Sequence, residues 1–200
     1  WTYRFDRPFG IRGLAYGTAG ARYVHVGKTA IGVNRLFYGS DLVNWTEAVV
    51  PSTFTAPGGP TPTFSVHSIA GGPEGFVAVS QNGGTLSSAD GINWTHYPSS
   101  IQGPHRVRYL NGKFYAVASN GNGNNFIGLY ERGVSDTTWT LRAIPTTGQP
   151  SDVAYANGVF AVSELFTQNV WTSTDKINWV MSTAPSTSVY GASPVVLAEI

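Results

Sequence analysis

A turn motif that ends in tryptophan recurs along this 200-residue chain and limits its fold more than any other feature. The four tryptophans follow one another at steps of 49, 45 and 40 residues, and they are Trp45, Trp94, Trp139 and Trp179. In each motif an aspartate precedes the tryptophan by three or four residues. Such spacing predicts one supersecondary unit per repeat, because a single unit cannot bury its apolar face without its neighbours.

Each repeat contains four short segments, A to D, that are rich in β-branched and aromatic residues and are separated by turn residues. Segment B is the most regular and predicts strands at Arg22–Val26, Gly75–Ser80, Lys113–Ala118 and Gly158–Ser163. Asn111-Gly112 and Asn157-Gly158 predict tight hairpins between A and B, because both dipeptides accept the positive φ angles that match strand twist. A four-stranded repeat of roughly 40–50 residues is typical of a propeller blade. The predicted fold is therefore an all-β propeller of four-stranded antiparallel blades.

A single propeller domain over residues 1–200 is predicted, with blade repeats at about 10–49, 64–98, 105–145 and 151–183. The segment that starts at Trp1 aligns with the strands that start at Trp94 and Trp139, and the last residues read as segments A and B. A fifth blade is therefore predicted from residues 1–5 and 186–200, because joining the two ends removes exposed sheet edges. Its segment C is missing from the sequence. Two alternatives stay open: a four-bladed ring with extra terminal strands, or a window of a longer propeller.

The turn motifs resemble the Asp box, or BNR repeat, a Ser-x-Asp-x-Gly-x-Thr-Trp pattern found in sialidases and many other propellers. Two copies match it at Ser, Asp and Trp: Ser88, Asp90 and Trp94, and Ser173, Asp175 and Trp179. These copies are one residue short between Asp and Trp, Gly39 replaces the serine of the first copy, and the copy at Ser135 is degenerate. The resemblance covers most of the chain and implies a fold more than a function.

The resemblance implies structural roles for the aspartates and tryptophans of these motifs. A short aspartate side chain accepts backbone N–H groups within a tight turn, so Asp41, Asp90 and Asp175 are expected to form turns rather than to act as catalytic acids. The tryptophans are expected to pack between blades, where truncation of one to alanine would cost roughly 3–5 kcal/mol.

Charge and composition exclude several classes of partner. The net charge is +1 without a basic run, so no nucleic-acid partner is predicted. The chain has no cysteine, and its four histidines have no close spacing, so neither a disulfide nor a metal site is predicted. No cofactor motif occurs, and no apolar run approaches the roughly 18 residues of a membrane helix. Neither a cofactor nor membrane insertion is therefore predicted.

Catalytic chemistry has weak support in the sequence, and the prediction leans against an enzyme. The sialidase Arg-Ile-Pro motif is missing, and Asp6-Arg7-Pro8 resembles it only distantly. Other glycosidases need two carboxylates about 5–9.5 Å apart. Asp152 and Glu164 are the candidates that could face the channel, yet both are expected to be solvated charges at the rim. A glycoside hydrolase or lyase with a site on the loop rim is the alternative function.

Recognition is the predicted function, because the B–C and D–A connections are long and unequal and lie on one rim of a propeller. Variable loops on a rigid scaffold are common recognition sites. The candidate ligand-binding residues lie in an Asn-rich loop and on inner strands: Asn122, Asn124, Arg106, Arg108, His67 and Asp152. Asparagine, serine, threonine and tyrosine suit sugar hydroxyls, so a carbohydrate or cell-surface ligand is predicted.

A structural or adhesion role is a third class of function. A cysteine-free, weakly charged β domain rich in glycine, threonine and asparagine resembles domains of phage tails, tail fibres and bacterial surface proteins. This resemblance implies an extracellular or virion location, with other protein subunits of an assembly as partners.

Overall fold

The computed structural model describes residues 13–28, 34–51, 66–80, 84–98, 101, 103–119, 126–146, 148–165 and 167–183. Within these residues the chain forms sixteen β-strands and no helix, and so no helix that could span a membrane. The strands form four antiparallel sheets of four, and each sheet takes its strands in chain order. The predicted all-β fold of four-stranded antiparallel sheets is confirmed.

The strands are numbered β1 to β16 in chain order, four to each sheet. The first sheet contains β1 (Gly13–Gly17), β2 (Arg22–Lys28), β3 (Asn34–Gly39) and β4 (Thr46–Glu47). The second contains β5 (Val66–Gly72), β6 (Gly75–Ser80), β7 (Gly84–Ser88) and β8 (Thr95–Pro98). The third contains β9 (Pro104–Leu110), β10 (Lys113–Ser119), β11 (Phe126–Arg132) and β12 (Thr140–Arg142). The fourth contains β13 (Gln149–Ala156), β14 (Val159–Leu165), β15 (Asn169–Ser173) and β16 (Val180–Thr183).

The four inner strands, β1, β5, β9 and β13, contact one another in succession, so the sheets stack around them. Each of the three spaces between adjacent sheets is filled by an apolar cluster, with Phe76, Phe114 and Phe160 at equivalent positions. Neighbouring residues of one strand face opposite sheets, so Phe114 packs toward the second sheet and Tyr115 toward the fourth. In the second and third sheets, segment B is apolar on both faces because each of these faces is covered by another sheet.

Burial of the four motif tryptophans differs from sheet to sheet. Trp94 and Trp139 are buried in the first and second apolar clusters, as predicted. Trp179 is half-buried against the third cluster, and Trp45 is half-buried beside the ring of His25, with the two ring centroids 4.3 Å apart. The prediction of core tryptophans is confirmed for two residues, and the other two pack only in part.

The aspartates of three motifs form the turns that the sequence predicts. In the second sheet, Asp90 Oδ1 accepts the backbone N–H groups of Ile92 and Asn93, each at 2.8 Å. Asp41 and Asp175 accept two backbone N–H groups in the same way. These donors lower the pKa of Asp41 and of Asp175, so both carboxylates stay ionised at neutral pH.

The motif of the third sheet has a different turn. Arg132 pairs with Phe114, at the position that Ser88 occupies opposite Phe76 in the second sheet. Its buried guanidinium donates to three carbonyl oxygens of the turn that follows. In the degenerate motif that contains Ser135, the hydrogen bonds of this arginine therefore stabilise the turn.

Two sequence predictions lie outside the described residues. They are the split blade of residues 1–5 and 186–200, and the Asn-rich loop that contains Asn122 and Asn124. The number of blades stays a prediction.

Candidate ligand-binding site

Three of the inner strands contain one extra residue at the same place, close to their first residue. The extra residues, each inserted between two consecutive pairs of the ladder, are His67, His105 and Ser151. Such a β-bulge re-aims the side chains near it and is common beside functional sites. All three lie on the side of the sheets that carries the D–A and B–C connections, which we name the loop rim. The rings of His67 and His105 meet there edge to face, with centroids 6.2 Å apart.

An ion cluster joins the third and fourth sheets close to these bulges. Arg108 of β9 donates from Nε to Oδ1 of Asp152 at 3.0 Å and from Nη2 to Oδ2 at 2.6 Å. Arg106 of the same strand places its Nε 3.9 Å from Oδ2 of Asp152. Two guanidinium groups from one inner strand therefore converge on one carboxylate of the next inner strand.

The carboxylate of this cluster is buried, whereas its two arginines are partly exposed. Asp152 is 2% exposed, whereas the side chains of Arg106 and Arg108 are 42% and 38% exposed. Because one carboxylate neutralises one guanidinium, the cluster keeps one positive charge on its solvent side. Both oxygens of Asp152 accept hydrogen bonds from Arg108, and Oδ1 also accepts the N–H of Val153. The exposed part of the ion cluster therefore offers N–H donors and no free carboxylate.

Local electrostatics fix the protonation states of the neighbouring groups. The hydrogen bond to Asp152 raises the pKa of Arg108. Burial lowers the pKa of His105, and the neighbouring His67 lowers it further. At neutral pH, Arg108 is therefore charged and His105 is a neutral ring, which donates at one nitrogen and accepts at the other.

Four of the six predicted site residues lie on adjacent inner strands. Arg106, Arg108 and Asp152 are in contact, and His67 lies on the neighbouring strand against His105. The expectation that Asp152 is a solvated rim charge is wrong, because Arg108 and burial together withdraw it from water. The predicted set did not include His105, although aligning the inner strands of the repeats would have placed it level with His67. Whether these residues bind a ligand stays a prediction.

Glu164 is a second buried carboxylate near the loop rim, and the expectation that it is solvated is also wrong, since it is 2% exposed. It accepts hydrogen bonds from Thr146, from Thr167 Oγ1 and Asn169 Nδ2 at 3.0 Å each, and from Trp171 Nε1 at 2.6 Å. Burial alone would raise the pKa of Glu164, but these donors outweigh burial and lower it. Its ionised carboxylate thus ties the D–A connection to the B–C connection.

These arrangements support binding better than acid–base catalysis. A general acid needs a pKa near the working pH, and that of Glu164 is shifted in the opposite direction. The carboxylate of Asp152 is engaged by Arg108 on both oxygens. No group of three metal-ligating side chains occurs within the residues that the structure describes.

Similarity to known proteins is confined to the fold. No family model matches the chain, and no curated protein matches its sequence. Streptogramin B lyase superposes with a TM-score of 0.64 at 15% identity, over 92% of this chain and 58% of that one. YCF48 bound to a D1 peptide superposes with a TM-score of 0.62 at 12% identity, over 90% of this chain and 56% of that one. A chain of a nidogen/laminin complex superposes with a TM-score of 0.59 at 11% identity, over 87% of this chain and 65% of that one.

These matches define the class of the chain: its structure is that of a β-propeller. The chain spans less than two thirds of the length of each of these three proteins. Sequence identities of 11–15% show a shared fold and do not show a shared function. A function must therefore be argued from the residues of the site.

Proposed function

We propose that this chain is a non-enzymatic recognition module that binds its ligand at the loop rim, within an extracellular or virion assembly. The observation that carries the proposal is the pair of half-exposed arginines, Arg106 and Arg108, held on the buried carboxylate of Asp152. Its location in an assembly rests on composition alone, on the cysteine-free, weakly charged character of the chain.

Arg108 is held in place by the protein itself. The two-point contact with Asp152 fixes the guanidinium of Arg108, so little side-chain freedom remains to be lost on binding. Both arginines stand on β9, whose neighbour β10 is buried on both faces, and a site on such a strand holds its geometry better than one on a loop. His105, whose ring is neutral at pH 7, directly precedes Arg106 on the same strand.

The ligand we propose is a carbohydrate, whose oxygens would accept hydrogen bonds from the exposed N–H groups. Arginine side chains are suited to this task because the guanidinium presents up to five donors in a fixed plane. We include Asn122 and Asn124 in the proposed contact surface, since the loop that contains them follows β10, whose neighbour in the sheet is β9.

A protein or peptide ligand is the second candidate. YCF48 was solved with a bound D1 peptide, and another similar chain belongs to a nidogen/laminin complex. The surplus positive charge at Arg106 would suit an acidic side chain of such a partner. A glycoside hydrolase or lyase is a third candidate, and the fold likeness to streptogramin B lyase supports it.

We also propose that the turn motifs are Asp boxes and that five blades form the ring, with the fifth shared between residues 1–5 and 186–200. The support for the first part is the common hydrogen-bond pattern of the turns that begin at Ser88 and Ser173. The support for the second part is the alignment of the terminal segments with the repeats.

The test compares the chain with its Arg106→Gln variant on a glycan array and on a peptide array. We expect one class of ligand to bind and the variant to lose about tenfold in affinity, because a charge-assisted hydrogen bond is removed. Arg35→Gln is the matched control, since Arg35 forms an exposed ion pair with Glu47 at 3.2 Å in another sheet. Equal binding by both variants, or turnover of a bound glycan, would overturn the proposal.

A further inference from the structure

A second cluster of charges lies between the third and fourth sheets, away from the inner strands and next to the A–B and C–D turns. Glu131 of β11 is 3% exposed, and its Oε1 lies 2.6 Å from Arg142 Nη2 and 3.5 Å from Lys113 Nζ. Its Oε2 lies 2.6 Å from Lys176 Nζ. We name these three cations and Glu131 the turn-rim cluster, because Lys113 follows the A–B turn of the third sheet and Lys176 lies in the C–D turn of the fourth.

The turn-rim cluster contains more positive than negative charge. One carboxylate balances one of its three cations, which leaves a net charge of +2. Asp175 stands next to Lys176 in the chain, but its oxygens accept hydrogen bonds within its own turn. Among the residues that the structure describes, no second carboxylate forms an ion pair with these cations.

The positive charge of this cluster faces solvent, and its carboxylate faces the protein. The side chains of Lys113 and Arg142 are 50% and 36% exposed, while Lys176 is 20% exposed. The amine of Lys176 donates to Tyr115 Oη at 3.2 Å and lies 5.3 Å from the ring centroids of both Tyr115 and Phe160. An approaching ligand would therefore meet cationic nitrogens first.

The backbone at Lys176 places its amine beside Glu131. Lys176 has a φ of +62°, a left-handed conformation that residues with a side chain adopt less often than glycine. The equivalent residue of the second sheet is a glycine, Gly91, with a φ of +75°. The side chain that Lys176 adds at this turn position brings its amine to within 2.6 Å of Glu131 Oε2.

We propose that Lys113, Arg142 and Lys176 form a binding site for an oxyanion of the phosphate or sulfate monoester type. Such a group carries three terminal oxygens that accept charge-assisted hydrogen bonds, which matches three converging donors. Glu131 is a positioning residue, because it holds the ends of three flexible side chains at one place. The site shares no residue with the ion cluster of Arg106, Arg108 and Asp152 and does not depend on the function proposed there.

The test is a titration of the ¹⁵N-labelled protein followed by NMR, with sodium sulfate, with sodium phosphate, and with sodium chloride at equal ionic strength. We expect saturable shifts of the Lys113, Arg142 and Lys176 amide signals with both dianions, at millimolar dissociation constants, and none with chloride. Glucose 6-phosphate and glucose 6-sulfate then distinguish the two sources of the anion by which of them binds more tightly.

Variants make this test specific. Lys113→Gln should weaken binding of both dianions at least fivefold, whereas Lys113→Arg, which keeps the charge, should stay within about twofold of the parent chain. Arg35→Gln again serves as the control for loss of an exposed cation elsewhere. Shifts that fail to saturate, that chloride reproduces, or that persist in Lys113→Gln would reject the site, and a dispersed spectrum of each variant excludes unfolding as the cause.

Discussion

The turn of the second sheet that spans residues 88–94 and the turn of the fourth sheet that spans residues 173–179 have nearly the same hydrogen bonds. In both, the serine hydroxyl donates to the aspartate Oδ1 at 2.9 Å, and two backbone N–H groups donate to that oxygen at 2.8 Å. They differ at the residue after the aspartate, which is Gly91 in the second sheet and Lys176 in the fourth. Both of these residues have positive φ angles.

The neighbouring sheet explains the difference between the two turns. A Cβ atom at Gly91 would lie 2.9 Å from Val24 Cγ2 of the first sheet and 3.1 Å from Phe76 Cε2 of the second, so a side chain there would be crowded. The third sheet instead presents the carboxylate of Glu131 to Lys176. The aspartate turn therefore sets the backbone, and the adjacent blade decides which residue can occupy it.

Gly91→Ala should break the tighter of the two turns. We expect a loss of about 2–4 kcal/mol in the free energy of unfolding, because the new methyl group meets both a left-handed backbone and a crowded contact. Urea denaturation measures this loss. Gly112→Ala is the control, since Gly112 has a φ of +80° and no atom within 4 Å of the place that a Cβ would take, and it should cost only about 1 kcal/mol. Equal losses in the two variants would show that crowding at Gly91 does not matter.

Glu131→Gln should weaken the contact that the fourth-sheet turn makes with the third sheet. Burial would raise the pKa of Glu131, but hydrogen bonds and ion pairs with Arg142 and Lys176 outweigh it and lower the pKa to about 2. A lowered pKa in the folded state stabilises the protein above the unfolded pKa, near 4.5, and this stabilisation is lost as pH falls toward 2.

The variant should therefore lose about 2 kcal/mol at pH 7 and show a flatter dependence of stability on pH between 4.5 and 2. Urea denaturation at a series of pH values gives both quantities. The carboxyl of Asp90, whose pKa is also lowered to about 2, remains in the variant and preserves part of the acid sensitivity. An unchanged pH profile would contradict the ion-pair account.

Trp94→Phe and Trp179→Phe should give the smallest effects and distinguish the turns by their indole groups. Trp94 Nε1 donates to Gly91 O at 3.2 Å, so its replacement should cost about 1 kcal/mol beyond the loss of ring area. Within the described residues Trp179 Nε1 has no acceptor. Replacement of Trp179 should therefore cost less than about 0.5 kcal/mol beyond the loss of ring area. Thermal unfolding of the two variants measures the difference, and a larger loss at Trp179 would count against this account.

The repeated features of the fold were predictable from the sequence because they are local. Tryptophan spacing, the Asn-Gly hairpins and the aspartate turns each depend on residues within a few positions of one another. The third motif is degenerate in the sequence, and its local pattern does not show which residue takes the place of the serine. The pairing of Arg132 with Phe114 between two strands shows that it is Arg132.

The site was predictable only in part because its contacts join distant strands. Arg108 and Asp152 are 44 residues apart, and the residues near Asp152 in the chain do not indicate that an arginine of another sheet pairs with it. The sequence likewise predicts a solvated Glu164, because its hydrogen-bond donors Thr146 and Trp171 come from other segments of the chain. Residue type and strand assignment therefore located the candidate residues but not their partners.

The extra residue near the start of three inner strands has a consequence for substitutions. Along a regular strand, side chains alternate between the two faces, so the first residues of a strand follow the same alternation as its packed part. The insertion at His67, His105 and Ser151 resets that alternation just after each strand begins at the loop rim. We therefore expect substitutions before the extra residue to disturb the packing of the strand less than substitutions after it.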